Sequence, residues 1–289
     1  MRRPQAPRLA VWRTQVQAIS TVVLNSYFLK SWTGGLCVPV LNCWSCPSAI
    51  GSCPLGAMQH YAGQARSALS QASFWSLLPL YPLGLMLACA VLGGRLMCGW
   101  LCPFGWLQDL LGKLQRRKLR LPAWTGHLRY VFLVGLVFVV PYYTARQAFS
   151  EICPMGALQG GWFQPLLYPE LRAGMQELWW AKQAVLLAWL AAFLFVRRPF
   201  CRLMCPLGAL FSLFYGTALW QIRLNPYKCN DCGWCEAICP AGLDPRREVG
   251  SPLCISCLEC QGCPQGAIVS GPVWKLGTAP PLPEEGNSR

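Results

Sequence analysis

The chain has 289 residues, 54% of them hydrophobic and only 12% charged, with a formal charge of +14. That balance excludes an ordinary water-soluble globular average, and basic residues gathered beside apolar runs read as membrane flanks rather than as a nucleic-acid surface. Eighteen cysteines, most in Cys-x2-Cys or Cys-x3-Cys spacing, suit metal ligation better than the disulfide scaffold of a small secreted domain.

The chain opens on Met1-Arg2-Arg3 without a small-residue cleavage site, which reads as an uncleaved start. Apolar runs at 9–29, 74–94, 128–144 and 179–196 approach the ~20 residues that cross a bilayer as a helix. The first is diluted by Gln15, Gln17 and Asn25. A shorter run, 206–220, reads as an interfacial or half-inserted helix. Any one of these alone could be a buried soluble helix; four in order with basic flanks favour an α-helical membrane protein. Arg2, Arg3, Arg8 and Arg13 precede the first span, Arg95, Lys113, Arg116, Arg117, Lys118, Arg120 and Arg129 lie between the second and third, and Arg197, Arg198 and Arg202 follow the fourth. The connections 30–73 and 145–178 are poor in Lys and Arg, so both termini are expected on the cytoplasmic side. This topology sorts the cysteines: Cys37, Cys43, Cys46, Cys53 and Cys153 fall outside, Cys98, Cys102, Cys201, Cys205 and the last eight inside, and Cys89 within a span.

Cys-Pro-x-Gly occurs six times, at Cys53, Cys102, Cys153, Cys205, Cys239 and Cys263, the first four at intervals of 49 to 52 residues. Proline is preset for the first turn of a helix, and a thiolate just before it sits at the positive end of the helix dipole, which favours an anionic [4Fe-4S] cluster. Arg95-Leu-Met-Cys-Gly-Trp-Leu-Cys-Pro and Arg198-Pro-Phe-Cys-Arg-Leu-Met-Cys-Pro are versions of one motif. Their Cys98, Cys102, Cys201 and Cys205 are expected to share a cluster near the inner face, and Cys43, Cys46, Cys53 and Cys153 a second near the outer face. Redox-active dithiols or plain buried cysteines are the duller alternatives. Cys37 and Cys89 are expected to be structural, with Cys37 the spare outer ligand.

From Cys229 the chain reads C-N-D-C-G-W-C-E-A-I-C-P, the run of a two-cluster bacterial ferredoxin, and from Cys254 it reads C-I-S-C-L-E-C-Q-G-C-P, one residue shorter before the last cysteine. The fourth cysteine of each run ligates the other cluster, so Cys229, Cys232, Cys235 and Cys263 are expected to hold one, and Cys254, Cys257, Cys260 and Cys239 the other. Zinc ribbons need two knuckles with a longer gap. The expected domains are a transmembrane domain over 1–224, an α+β ferredoxin domain over 225–270 and a disordered tail over 271–289. His60 and His127 fall on opposite sides, which excludes bis-histidine haem. Were quinol the electron source, Asp109 and Glu151 would be candidate bases, with ordinary interfacial carboxylates the favoured reading.

Together these motifs, over about residues 74 to 268, resemble the NapH-type polyferredoxin membrane proteins, quinol-dehydrogenase partners of periplasmic nitrate reductase, and the related nitrous-oxide-reductase maturation and cytochrome-oxidase-assembly polyferredoxins. The resemblance implies a bacterial or archaeal inner-membrane protein of about four spans that moves electrons between a cytoplasmic donor or the quinone pool and an extracytoplasmic acceptor. Its partners would be membrane lipid, quinone and redox proteins on either side, with no nucleic acid. The Cys43, Cys46 and Cys53 set departs from the usual nitrate-reductase pattern, and no large flavin-binding domain precedes the first span. A competing class is an assembly or sensing protein that reduces or handles a metal, since sulfur-rich loops suit soft ions such as Cu(I).

Overall fold

A computed structural model describes residues 8–26, 37–43, 53–70, 80–114, 119, 121–167, 169–170 and 177–276. Its elements are mostly helical: α1 Arg8–Leu24, α2 Pro54–Ser70, α3 Leu80–Gly93, α4 Leu96–Trp100, α5 Pro103–Gly112, α6 Trp124–Thr144, α7 Ala148–Ile152, α8 Pro154–Leu158, α9 Gln164–Leu167, α10 Glu177–Phe195, α11 Pro199–Leu203 and α12 Pro206–Leu213. A small α+β unit follows, with β1 Trp220–Leu224, α13 Trp234–Ile238, α14 Pro245–Glu248, β2 Ile268–Pro272 and α15 Val273–Leu276.

Of the four expected spans, only α6 is long and apolar enough to cross a bilayer among the described residues. Leu80–Gly93 and Trp179–Phe195 are apolar but shorter, and 71–79, the start of the second expected span, lies outside the described residues. The expected first span is the helix α1, and it is inside out. Arg13 and Gln17 are buried at 4% and 0% exposure, while Trp12 and Val22 are 65% and 71% exposed. Its polar face packs on α4 and α5, where Gln17 Nε2 and Ser20 Oγ donate to the carbonyls of Gly99 and Leu101 at 2.9 Å each. Val131 and Val134 on α6, and Trp180 and Leu187 on α10, are likewise exposed. Such a belt has no reason to face water, where the apolar side of a helix turns inward.

Within α6, Pro141 can donate no hydrogen bond to Val137 and its ring crowds that carbonyl. The helix accordingly widens to a π-helical course over Leu133–Val139 ahead of it. Ala145 closes the helix at φ 54°, its N–H donating to the Pro141 carbonyl at 2.8 Å. Gly63 of α2 comes so close that a Cβ there would lie 3.2 Å from Ala145 Cα. The connection 30–73 therefore contains a 17-residue helix, α2, which its mixture of His, Gln and Arg with Ala and Leu hid from a search for apolar spans.

The core between α3, α5, α6, α10 and α12 is built on Met86, Phe104, Leu133, Phe193, Phe200 and Phe211. Phe104 meets Phe193 and Phe200 edge-on at 5.7 and 5.0 Å between ring centroids, a favoured aromatic geometry. The expected half-inserted helix is α12, buried along most of its length. In the α+β unit, β1 and β2 pair antiparallel with Trp220 opposite Pro272 and Leu224 opposite Ile268. The sheet thus draws on residues either side of 225–270, and α15 follows it; 277–289 lie outside the described residues.

Candidate metal centres

The Cys-Pro-x-Gly repeat has a common local form. Cys53, Cys102, Cys153 and Cys205 each stand directly before a helix whose first residue is proline, and the last three have extended backbones. Extended geometry is what an N-cap position adopts, and proline at N1 gives up no hydrogen bond. The N–H of the glycine three residues on faces the thiol: Gly208 N–H donates to Cys205 Sγ at 3.4 Å, and Gly56, Gly105 and Gly156 do the same for the other three. Burial pushes the Cys102 and Cys153 thiols up to about 12, against those N–H donors. Thiols so placed are costly as free thiolates and suited to sharing charge with iron.

Cys98, Cys102, Cys201 and Cys205 come together between α4, α5, α11 and α12, all buried. Burial raises the Cys205 thiol, and Cys201, Cys98 and Cys102 raise it further as near neighbours. Gln108, buried in α5, donates through Nε2 to Cys201 Sγ at 3.1 Å. Cys43, Cys53 and Cys153 form a second group: Cys153 and Cys43 add to the burial that raises the Cys53 thiol, Cys43 adds to that which raises the Cys153 thiol, and a Cβ on Gly156 would lie 3.8 Å from Cys43 Sγ. Gln159 organises it, accepting from Cys43 N–H and donating to Asn25 and Asn42 Oδ1 at 2.6 Å. Cys46 lies outside the described residues. Cys37 takes its N–H to Tyr81 OH at 3.1 Å, and Cys89 is part of the core.

The two groups approach one another. Leu41 N–H points at the Cys102 thiol, and Cys43 is two residues further on, a reach of about 7 Å. The segment 37–43 dips in beside the inner motif.

In the α+β unit one pocket is lined by Cys229, Cys232, Cys235 and Cys263 together with Ala267 and Ile268, and a second by Cys239, Cys254, Cys257 and Cys260 together with Leu243 and Ile255. Each run sends its fourth cysteine to the other pocket. The short spacing before Cys263 is absorbed by a 3-10 turn at Glu259–Gly262 after Leu258 at φ 64°. Asp231 and Gly233 flank Cys232, and Ser256 and Leu258 flank Cys257, all four at positive φ, so both loops have the same backbone despite different sequences. Cys232 is exposed and Cys229 and Cys263 half-buried, whereas Cys257 and Cys260 are buried.

None of the 17 described cysteines is in a disulfide. In the α+β unit each set of four thiols rings a pocket, a donor set that suits a cubane held at its corners.

The second pocket abuts the inner group. A Cβ on Gly99, between Cys98 and Cys102, would lie 2.5 Å from the Ile255 carbonyl oxygen and 3.3 Å from Cys257 N. Trp100 Nε1 donates to the Ser256 carbonyl at 3.2 Å. Arg13 joins the two parts, pairing with Asp109 and Glu259 at 2.7 Å each, and Arg197 donates to the carbonyls of Glu236, Ala237 and Cys239 around the end of α13 at 2.7 to 3.2 Å, where a helix favours a cation. Arg13 and Arg197, read from sequence among the membrane flanks, thus also hold the α+β unit against the helices.

Asp109 is no base. Burial alone would raise its carboxyl, but Arg198 and then Arg13 hold it below the usual carboxylate range. Because its folded value lies below its unfolded one, its contribution to stability is complete above about 3.9 and is lost only as pH falls through the folded value, so it carries no titration near neutrality. Glu151 pairs with exposed Arg146 at 3.0 Å, an ordinary surface contact. Glycine at 208 is needed for space: a Cβ there would lie 2.9 Å from Arg95 Nη2. Gly208→Ala is expected to cost about 1–3 kcal/mol by overpacking, read as a lower thermal midpoint for bleaching of the iron-sulfur absorbance.

Thiol-lined pockets and repeated helix-capping cysteines define an iron-sulfur protein. Residues 76–122, 126–168 and 179–223 match the family described as 4Fe-4S binding domain. An uncharacterised protein of Methanocaldococcus jannaschii is 33% identical over 61% of this chain and 71% of its own length. The putative electron transport protein YccM and the ferredoxin-type protein NapH, both of Escherichia coli, are 27% and 29% identical over 61% and 60% of this chain, which spans 50% and 58% of their lengths. The chain belongs to the same family as the Methanocaldococcus protein, one built on the 4Fe-4S binding domain. No solved structure matches it.

Proposed function

We propose that the chain is a membrane-embedded electron relay with four [4Fe-4S] centres. Cys229, Cys232, Cys235 and Cys263 hold the far centre, Cys239, Cys254, Cys257 and Cys260 the near one, Cys98, Cys102, Cys201 and Cys205 the inner one, and Cys43, Cys46, Cys53 and Cys153 the outer one. Each cluster supplies reversible one-electron chemistry. The observation that carries the reading is continuity: the near pocket touches the inner motif at Gly99, and the segment bearing Cys43 touches the inner motif at Cys102. Around this line, the chain's residues exclude water and fix the thiols through the glycine N–H groups, Gln108 and Gln159.

The half-exposed far set faces a redox protein on the side of the α+β unit, which the Lys and Arg distribution assigns to the cytoplasm together with both termini. The exposed apolar belt on α1, α6 and α10 supports burial in lipid, with the regions around 9–29, 74–94, 128–144 and 179–196 crossing the bilayer and an acceptor on the other side. Quinol is a second source of electrons, without Asp109 as its base.

Anaerobic purification from detergent tests this. Roughly sixteen irons per chain, four to each cubane, with the buried centres reduced by quinol or dithionite, is the expected result. About eight irons and thiols of the membrane motifs open to alkylation would overturn the relay in favour of a metal-handling or sensing protein.

A further inference from the structure

Arg95 and Arg198 hold the same place in their motifs, three residues before the first cysteine, and the fold crosses them over. Arg198 Nη1 donates to the Cys98 carbonyl at 3.1 Å and Arg95 Nη2 to the Cys201 carbonyl at 3.3 Å. Each guanidinium therefore lies on the opposite motif, against its Gly105 or Gly208. Both are buried, at 3% and 1% exposure.

Their remaining partners differ. Arg198 grips Asp109 with Nε and Nη2, so its charge is matched. Arg95 spends Nη1 on the carbonyls of Pro252 and Leu253, at 3.0 Å each, next to Cys254. No carboxylate pairs with Arg95 among the described residues, and its Nε has no hydrogen-bond partner. The cleft it occupies is lined by Arg198, Arg202 and Cys201 and by Leu253 and Ile255 of the α+β unit. A buried cation without an anion is costly. The bonds of Arg95 to the Cys201 and Leu253 carbonyls set it between the thiols of the inner motif and Cys254.

Resting on the ligand sets above, we propose that Arg95, with Arg129 beside it on the same Pro252 carbonyl, is a positioning residue that sets the reduction potentials of two adjacent centres at once, inner and near, by holding between them a positive charge that no described carboxylate offsets. A thiolate-ligated cluster is an anion that gains a further negative charge on reduction. A cation in a low-dielectric cleft favours that reduced form and eases the repulsion between two reduced neighbours. Since both arginines make the same crossed bond, a purely structural role requires equal losses on removing either. The charge role requires Arg95 to dominate, because Asp109 already offsets Arg198.

Full-length Arg95→Gln, Arg95→Lys and Arg198→Gln proteins, titrated with dithionite as electron donor and followed by electron paramagnetic resonance, decide between these. In Arg95→Gln the reduced-to-oxidised ratio at a fixed potential is expected to fall at least tenfold for two of the four signals, about 59 mV for a one-electron couple. Lysine at 95 and glutamine at 198 are expected to stay within threefold of wild type. An unmoved Arg95→Gln, or an equal fall in Arg198→Gln, overturns the proposal. Should Arg95→Gln fail to assemble, Asp109→Asn decides: freeing the Arg198 charge raises the inner ratio, and no rise overturns the proposal. A wild-type protein lacking the inner signal, or one in which Cys98→Ser removes none, overturns instead the ligand sets beneath it.

Discussion

Cys98→Ser is expected to remove one centre and leave the others standing. Iron falls from roughly sixteen to roughly twelve per chain, one paramagnetic signal disappears, and the two signals of the α+β unit persist. Serine is nearly isosteric but a poor ligand for a site that selects soft thiolate, so the change subtracts chemistry rather than packing. Cys98 lies beside Cys102, Cys201 and Cys205, and if the four hold one cluster, losing one corner opens the whole cage. Retention of all iron, or loss of a ferredoxin-type signal instead, would show that these four thiols do not act together. Cys153→Ala should subtract a different signal.

The second large effect is expected from one methyl group. Gly99→Ala places a Cβ 2.5 Å from the Ile255 carbonyl oxygen, a backbone atom with no rotamer to retreat into. Overpacking of this kind costs about 1–3 kcal/mol, so the equilibrium constant for docking the near centre on the inner motif drops by roughly ten- to hundredfold. Because alanine is a better helix former than glycine by ~1 kcal/mol, α4 itself should not suffer. Hydrogen exchange separates the two: amides over 251–258 should exchange at least ~10-fold faster while those of α5 stay protected. Unchanged exchange at 251–258 would mean the contact is not what joins the two parts.

The legible portion of this protein was its local chemistry. Proline after cysteine acts within one turn, and glycine three residues on acts through its own N–H, so Cys53, Cys102, Cys153 and Cys205 announce helix-capping thiols without reference to the rest of the chain. The αL positions around Cys232 and Cys257 were less legible, because Asp231, Ser256 and Leu258 adopt by context what only Gly233 advertises. Arg95 and Arg198 were visible as basic flanks, and their matching place in two copies of one motif was a readable sign of a shared role, yet their burial and crossed bonds come from packing.

Residue order alone led to the expectation of thiols in sets of four, to two interleaved sets in the tail, and to iron rather than disulfide chemistry, since those readings depend on spacings of a few residues. Only the tertiary structure decided that α1 turns its polar face inward, that segment 37–43 runs beside Cys102, and that the near pocket rests on Gly99. Those facts depend on contacts between segments some 60 to 160 residues apart, set by helix packing and backbone approach, to which no local pattern of side chains is sensitive.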